Sequence, residues 1–206
     1  MWHWFLRAVV GKIVVIPIRR RLRAFEDATA QPQAVQEELL RRLLALHAGT
    51  GFGIEHHFSS IADVADFRRN CPVAPYEYFE PYIQRVMKGD SGALLADPRI
   101  HMFALTSGTT ATRKFIPVTQ QYLADYKRGW NIWGLKVFRD HPETKLRPIL
   151  QVSGDWSESQ TEFGTPCGAV TGLTARMQIR LIRWLYSVPG AVGELKDINA
   201  KYYLIL

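Results

Sequence analysis

Residues 100–106 form a short apolar run, Ile-His-Met-Phe-Ala-Leu-Thr, that opens directly into Ser107-Gly108-Thr109-Thr110-Ala111-Thr112-Arg113-Lys114. Such a run reads as a buried strand, and the small, hydroxyl-rich stretch after it as a loop. The segments around it are helical in pattern. Gln33–Ala48 carries Val35, Leu39, Leu43 and Leu46 at helical spacing, with Glu37, Glu38, Arg41 and Arg42 between them, and Gly49, Gly51 and Gly53 end it. Ser59 or Ser60 can cap a short helix over Ile61–Arg69, and Pro72 and Pro75 mark a linker. Tyr76–Lys88 places Tyr76, Phe79, Ile83 and Val86 on one face, although Pro81 suits only a first turn. Gly89-Asp90-Ser91-Gly92 is an expected turn.

Beyond the loop, Thr119 can cap a long helix with Tyr122, Tyr126, Trp130, Trp133 and Val137 on one face. Leu146–Val152 is a second expected strand and Asp155–Gly168 a polar loop. Thr174–Tyr186 reads as a helix with Met177, Leu181, Ile182 and Leu185 inward. Pro189-Gly190 breaks it, and Asp197–Leu206 starts another. Helices alternating with at least two buried strands predict an α/β layered fold, helices packed around a partial sheet. Two strands are few for a finished sheet, and Tyr202-Tyr203-Leu204-Ile205-Leu206 closes the sequence without a polar tail. The expected organisation is therefore a basic, apolar N-terminal helix over 1–30 and an incomplete domain over 31–206, the front part of a longer protein.

The net charge of +7 suggests a nucleic-acid partner until its distribution is read. Residues 1–23 hold Arg7, Lys12, Arg19, Arg20, Arg21 and Arg23 and no acidic residue, which leaves only +1 for residues 24–206. A nucleic-acid surface needs cations spread along a face, so no such partner is expected. The apolar stretch Trp2–Ile18 is interrupted by Arg7 and Lys12 and stopped by Pro17, too broken for a spanning helix. Its arginines follow the apolar run, the reverse of a signal peptide. It reads as a helix docking one apolar face on the body; the alternative is weak contact with an anionic membrane surface. Cys71 and Cys167 form no paired motif, which fits a reducing compartment such as the cytoplasm. The six histidines show no ligand spacing.

The loop itself has a chemistry. Ser107, Thr109 and Thr110 each carry a hydroxyl donor. Gly108 allows close backbone approach, and successive N–H groups in such a turn make a concave anion nest. Lys114 can set a positive charge beside phosphate oxygens. On composition alone this stands level with an ordinary threonine-rich turn. A Walker-type loop is disfavoured, because no glycine precedes Lys114 and Phe115 follows it.

Thr106-Ser107-Gly108-Thr109-Thr110 with Lys114 resembles the signature Thr-Ser-Gly-Thr-Thr-Gly-x-Pro-Lys of the adenylate-forming superfamily. Phe67-Arg68, Pro72-Val73, Tyr76-Glu77, Pro81-Tyr82-Ile83, Gly89-Asp90, Phe103 and Ile116-Pro117 come around it in an order similar to the auxin-responsive Gretchen-Hagen family of acyl-acid amido synthetases, bacterial members included. Lys201-Tyr202-Tyr203-Leu204 is similar to the bacterial branch. Two residues depart from the signature: Ala111 stands at a glycine position and Arg113 at a proline position. If position 111 requires positive φ, alanine would strain the turn by about 1 kcal/mol or more.

The resemblance implies the N-terminal part of the large adenylate-forming domain. It implies ATP-dependent activation of a carboxylic acid as an acyl-adenylate, with Mg2+, and then amide formation with an amine or amino acid. Thr106, Ser107, Gly108, Thr109, Thr110 and Lys114 would hold the β and γ phosphates. The family's acidic metal-binding motif, ribose-binding aspartate and mobile-domain lysine find no match; Thr161-Glu162 lacks the preceding Tyr-Gly. The chain alone is expected to be inactive. The alternative expectation is a truncated, non-catalytic interaction or membrane-surface module.

Overall fold

The computed structural model describes residues 19–106, 113–144, 147–178 and 183–206. Residues 19–28 are helical (α1). Leu22 is buried, and the Glu26 carboxylate accepts from Arg139 at 2.8 Å. Trp2–Ile18 lies outside the described residues. No described helix is long and apolar enough to cross a membrane.

α2 (Pro32–His47) forms within a residue of expectation at each end. Its burial differs: Val35, Leu39, Leu43 and Leu46 stay exposed, and Leu44 is the residue it buries. Of the glycines that were to end α2, Gly49 lies in the turn after it, while Gly51 and Gly53 belong to α3 (Gly51–Glu55), whose first turn is capped by Thr50 Oγ1 accepting from the Gly53 N–H at 3.0 Å. Behind α3 the His56 ring stacks on Phe52. Its Nδ1 donates to the Phe52 carbonyl at 2.8 Å, and its Nε2 accepts from the Tyr78 hydroxyl at 2.6 Å. The expected helix at 61–69 is shorter, α4 (Val64–Asn70), and Asp63 rather than a serine caps it. Ser59 and Ser60 are committed to a 3-10 turn that follows His57 in the left-handed region (φ 54).

α5 (Tyr76–Met87) continues through Pro81 and turns Ile83 and Val86 inward. The centre of the sheet is β1 (Ile100–Leu105), antiparallel to β2 (Phe115–Thr119) and parallel to β4 (Pro166–Gly168); β3 (Ser159–Gln160) lies on the far edge, so the strand order is β2-β1-β4-β3. Side chains alternate along β1. Phe103 and Leu105 join Ile83, Val86, Ala93 and Cys167 in a core under α5. Met102 and Ala104 join Val118, Leu123 and Leu173 in a second core under α6 (Gln120–Asp140) and α7 (Val170–Arg176). The fold is thus α/β, a short mixed sheet between helices.

Thr119 caps α6 as expected, its Oγ1 accepting from the Tyr122 N–H at 3.1 Å. The aromatic row of α6 does share one face, but Tyr122, Trp130 and Trp133 are exposed and Tyr126 and Val137 only half-buried; Leu123 is the buried residue.

β2 was not among the expected strands; Pro117 lies within it, and proline is compatible with an edge position. Three expectations are corrected. Residues 155–168 contain β3 and β4, strands of two and three residues that only pairing with β1 reveals. Residues 147–152 form no strand: Leu150 and Val152 are exposed, and pairing is limited to a bridge between Ile149 and Tyr186. The helix expected from Thr174 begins at Val170 and ends at Arg176; Leu181 and Ile182 lie outside the described residues. The chain closes with α8 (Gly190–Gly193) and α9 (Ile198–Ile205), the latter capped by Asp197.

Candidate functional site

The candidate loop joins β1 to β2. The Thr106 N–H donates to the Lys114 carbonyl at 3.3 Å, one step past the Leu105–Phe115 pair. Two of the six expected site residues, eight positions apart in sequence, are therefore cross-strand neighbours at the base of a hairpin. Ser107, Gly108, Thr109 and Thr110 lie outside the described residues, as do Ala111 and Thr112.

The downstream arm is anchored from α5. The Tyr76 hydroxyl accepts from the Phe115 N–H at 2.9 Å and donates to the Phe115 carbonyl at 3.3 Å. Burial pushes the Tyr76 hydroxyl pKa up; the bond to Phe115 opposes this, and Glu80 and Glu77 add to it. The Lys114 ammonium lies 5.6 Å from the centre of the same ring, within cation–π range. One aromatic side chain thus fixes the backbone after the loop and attracts its lysine. Next to Lys114, Arg113 Nη1 donates to Glu158 Oε1 at 2.7 Å.

These groups gather at one end of the sheet. β1 ends at Leu105, its parallel neighbour β4 ends at Gly168, and β3 starts at Ser159, opposite Cys167. This is the carboxyl end of the parallel pair, where ligands bind in open α/β sheets. The chain from Ser153 to Trp156 crosses the turn from β4 into α7. The Ala169 N–H donates to the Asp155 carbonyl at 2.7 Å, and the Gly154 N–H donates to Thr171 Oγ1 at 3.2 Å. A Cβ at Gly168 would collide with the backbone of Asp155 and Trp156, and one at Gly172 with the Gly154 carbonyl oxygen. Glycine at both positions lets the two segments touch. Trp156 lies against the Arg176 guanidinium, 5.0 Å from ring centre to Cζ.

The arrangement offers Thr106, Lys114 and Arg113, close together on a pinned hairpin, to an anion at the sheet end. Sequence reasoning read Tyr76 as a helix-face residue and Arg113 as a departure, and assigned nothing to Glu158. Their partners lie 39 and 45 residues away, so no local pattern marks them.

The model of the GH3 family N-terminal domain matches residues 21–206. Indole-3-acetic acid-amido synthetase GH3.8 of Oryza sativa subsp. indica is 35% identical over 104 residues, 50% of this chain and 17% of that protein. Jasmonoyl--L-amino acid synthetase JAR4 of Nicotiana attenuata is 28% identical over 167 residues, 81% of this chain and 29% of that protein. Among solved structures, GH3.15 acyl acid amido synthetase superposes with a TM-score of 0.70 at 22% identity, covering 87% of this chain and 31% of its own. The chain spans less than a third of the length of each.

Proposed function

The chain belongs to the GH3 family, and from that premise we propose that it supplies the phosphate grip of an ATP-dependent acyl-acid amido synthetase. In the first step a substrate carboxylate oxygen attacks the α-phosphorus of ATP. The bond from that phosphorus to the bridging oxygen breaks, and pyrophosphate leaves with its electron pair. In the second step an amine, such as that of an amino acid, attacks the activated carbonyl, loses a proton and expels AMP. Thr106, Ser107, Gly108, Thr109, Thr110 and Lys114 hold the β and γ phosphates through hydroxyls, backbone N–H groups and the ammonium. Their charge complement matters most as pyrophosphate departs, because negative charge then builds on oxygens these groups already touch.

The observation that carries this reading is the pairing of Thr106 with Lys114 at the carboxyl end of β1. It brings both ends of the signature to one place, beside a lysine already drawn toward Tyr76. Among the described residues, no group of three or more His, Cys, Asp or Glu side chains could hold a metal ion. Magnesium bound with the nucleotide would neutralise phosphate charge, and no step here is routed through it. The same proposal takes residues 1–30 as a separate N-terminal element, 31–206 as the gripping part of the nucleotide domain, and the cytoplasm as its location.

The test is equilibrium binding of ATP and pyrophosphate to the 206-residue chain, with Lys114→Ala beside it. A charge-assisted contact contributes about 1.5–3 kcal/mol, so the variant should bind at least about tenfold more weakly. Equal binding by both chains would remove Lys114 from the grip. We assign grip and not turnover to this segment: it should show no ATP–pyrophosphate exchange with any carboxylic acid, and measurable exchange would contradict that assignment.

A further inference from the structure

We infer that Arg113 is an additional phosphate-binding cation of the hairpin, stored on Glu158 and surrendered to a polyphosphate that enters the sheet end. The inference rests on the phosphate-gripping reading of residues 106–114.

Arg113 precedes Lys114 on the arm that leads into β2, while Glu158 immediately precedes β3. β2 and β3 are the two outer strands of the sheet. The 2.7 Å contact between these side chains therefore spans the end at which β1 and β4 terminate. No other described ion pair crosses that end.

Two roles are open to such a pair, and magnitudes separate them. It could clamp the loop. But both side chains are more than 45% exposed, 60% for Arg113 and 48% for Glu158. Exposed pairs contribute only about 0–1 kcal/mol, which is too little to hold a hairpin arm that Tyr76 already pins. A weak pair suits exchange better. The guanidinium has five N–H donors in a fixed fork, and the bond to Glu158 engages one Nη1 donor. A polyphosphate presents several anionic oxygens with the spacing that fork matches. Pairing also serves the resting state: without Arg113, the Glu158 carboxylate would stand at the mouth of an anion site and repel its ligand. When phosphate binds, Arg113 turns to it, and Lys114 approaches the same anion from the Tyr76 side. Glu158 is thus a competitor that keeps the arginine in place, and the sequence reading named neither residue as a phosphate ligand.

The experiment is calorimetric titration of the 206-residue chain with inorganic tripolyphosphate and with ATP at low and moderate ionic strength. Near-UV circular dichroism would establish that each variant keeps the fold, as exposed substitutions should. Arg113→Ala is expected to bind tripolyphosphate about tenfold more weakly, one charge-assisted contact being lost. Arg113→Lys should lose less, keeping the charge without the fork. Glu158→Gln should bind about two- to fivefold more tightly, because the competitor is gone. A clamp predicts the opposite sign for Glu158→Gln, so weakening there to the level of Arg113→Ala overturns the inference. Wild-type affinity in Arg113→Ala overturns it as well. If Lys114→Ala weakens binding and Arg113→Ala does not, the phosphate reading stands and this inference alone falls. If the wild-type chain binds no tripolyphosphate, both fall.

Discussion

The two faces of the sheet are covered in different ways. On one, α5 packs its whole apolar row against β1, and Ile83, Val86 and Phe103 are each at most 3% exposed. On the other, α6 is nearly twice as long, yet Leu123, in its first turn, is the one residue it buries. Its aromatic row remains open, with Trp130 52% and Trp133 58% exposed. Both helices show clean helical periodicity in sequence. What separates them is whether the face has something to meet. α5 is a structural wall, whereas α6 is fully buried only in its first turn and at its far end meets α1 through the Arg139–Glu26 pair.

The contrast can be broken at its strongest point first. Phe103→Ala removes the centre of the α5 core and should cost about 3–5 kcal/mol in urea unfolding. A loss below about 1 kcal/mol would mean that α5 is not a wall. Leu123→Ala should cost about 2–4 kcal/mol, with α6 amides losing hydrogen-exchange protection before those of α5. Equal loss in both helices would erase the distinction. Tyr76→Phe deletes the acceptor for the Phe115 N–H, and about 1–2 kcal/mol is expected, together with faster exchange at Phe115.

His47 tests a smaller effect outside both faces. Its Nδ1 is buried without a hydrogen-bond partner among the described residues, and burial holds its pKa below the usual value. The neutral ring is therefore favoured in the fold. Stability should be full above the unfolded histidine pKa of about 6.5 and decline as pH falls from there toward the lower folded value. Thermal unfolding between pH 8 and 5 should show this decline, and His47→Leu should flatten it. Least affected should be Trp133→Ser, within about 0.5 kcal/mol of wild type, since the side chain lies mostly in solvent.

What the sequence made legible follows the same division. The α5 face was readable because its periodic residues are the buried ones. In α2 the periodic row Val35, Leu39, Leu43 and Leu46 shares a face, but the body meets the helix on the Leu44 side. Periodicity says which residues lie together, not which side finds a partner. β1 was readable as an isolated apolar run, whereas β3 and β4 exist through pairing with distant residues and carry almost no local signal. Residues 146–152 had the apolar content of a strand, and the described ones find a partner only at Ile149. For the candidate site, the signature named its residues, and the fold supplied what no pattern could: Tyr76 behind the arm and Glu158 across the sheet end.

The hydrogen bond between Thr106 and Lys114 also sets which backbone groups the outer margin of β2 presents. The Lys114 carbonyl faces β1, so by alternation the backbone groups of Phe115 and Pro117 face the other way, off the outer side of β2. The N–H and carbonyl of Phe115 are both occupied by the Tyr76 hydroxyl, and Pro117 has no N–H to offer. A strand arriving at that margin would find no free donor at either position, the kind of blunted border that keeps native sheets from templating one another. At these two positions the outer margin of β2 is closed to a further strand.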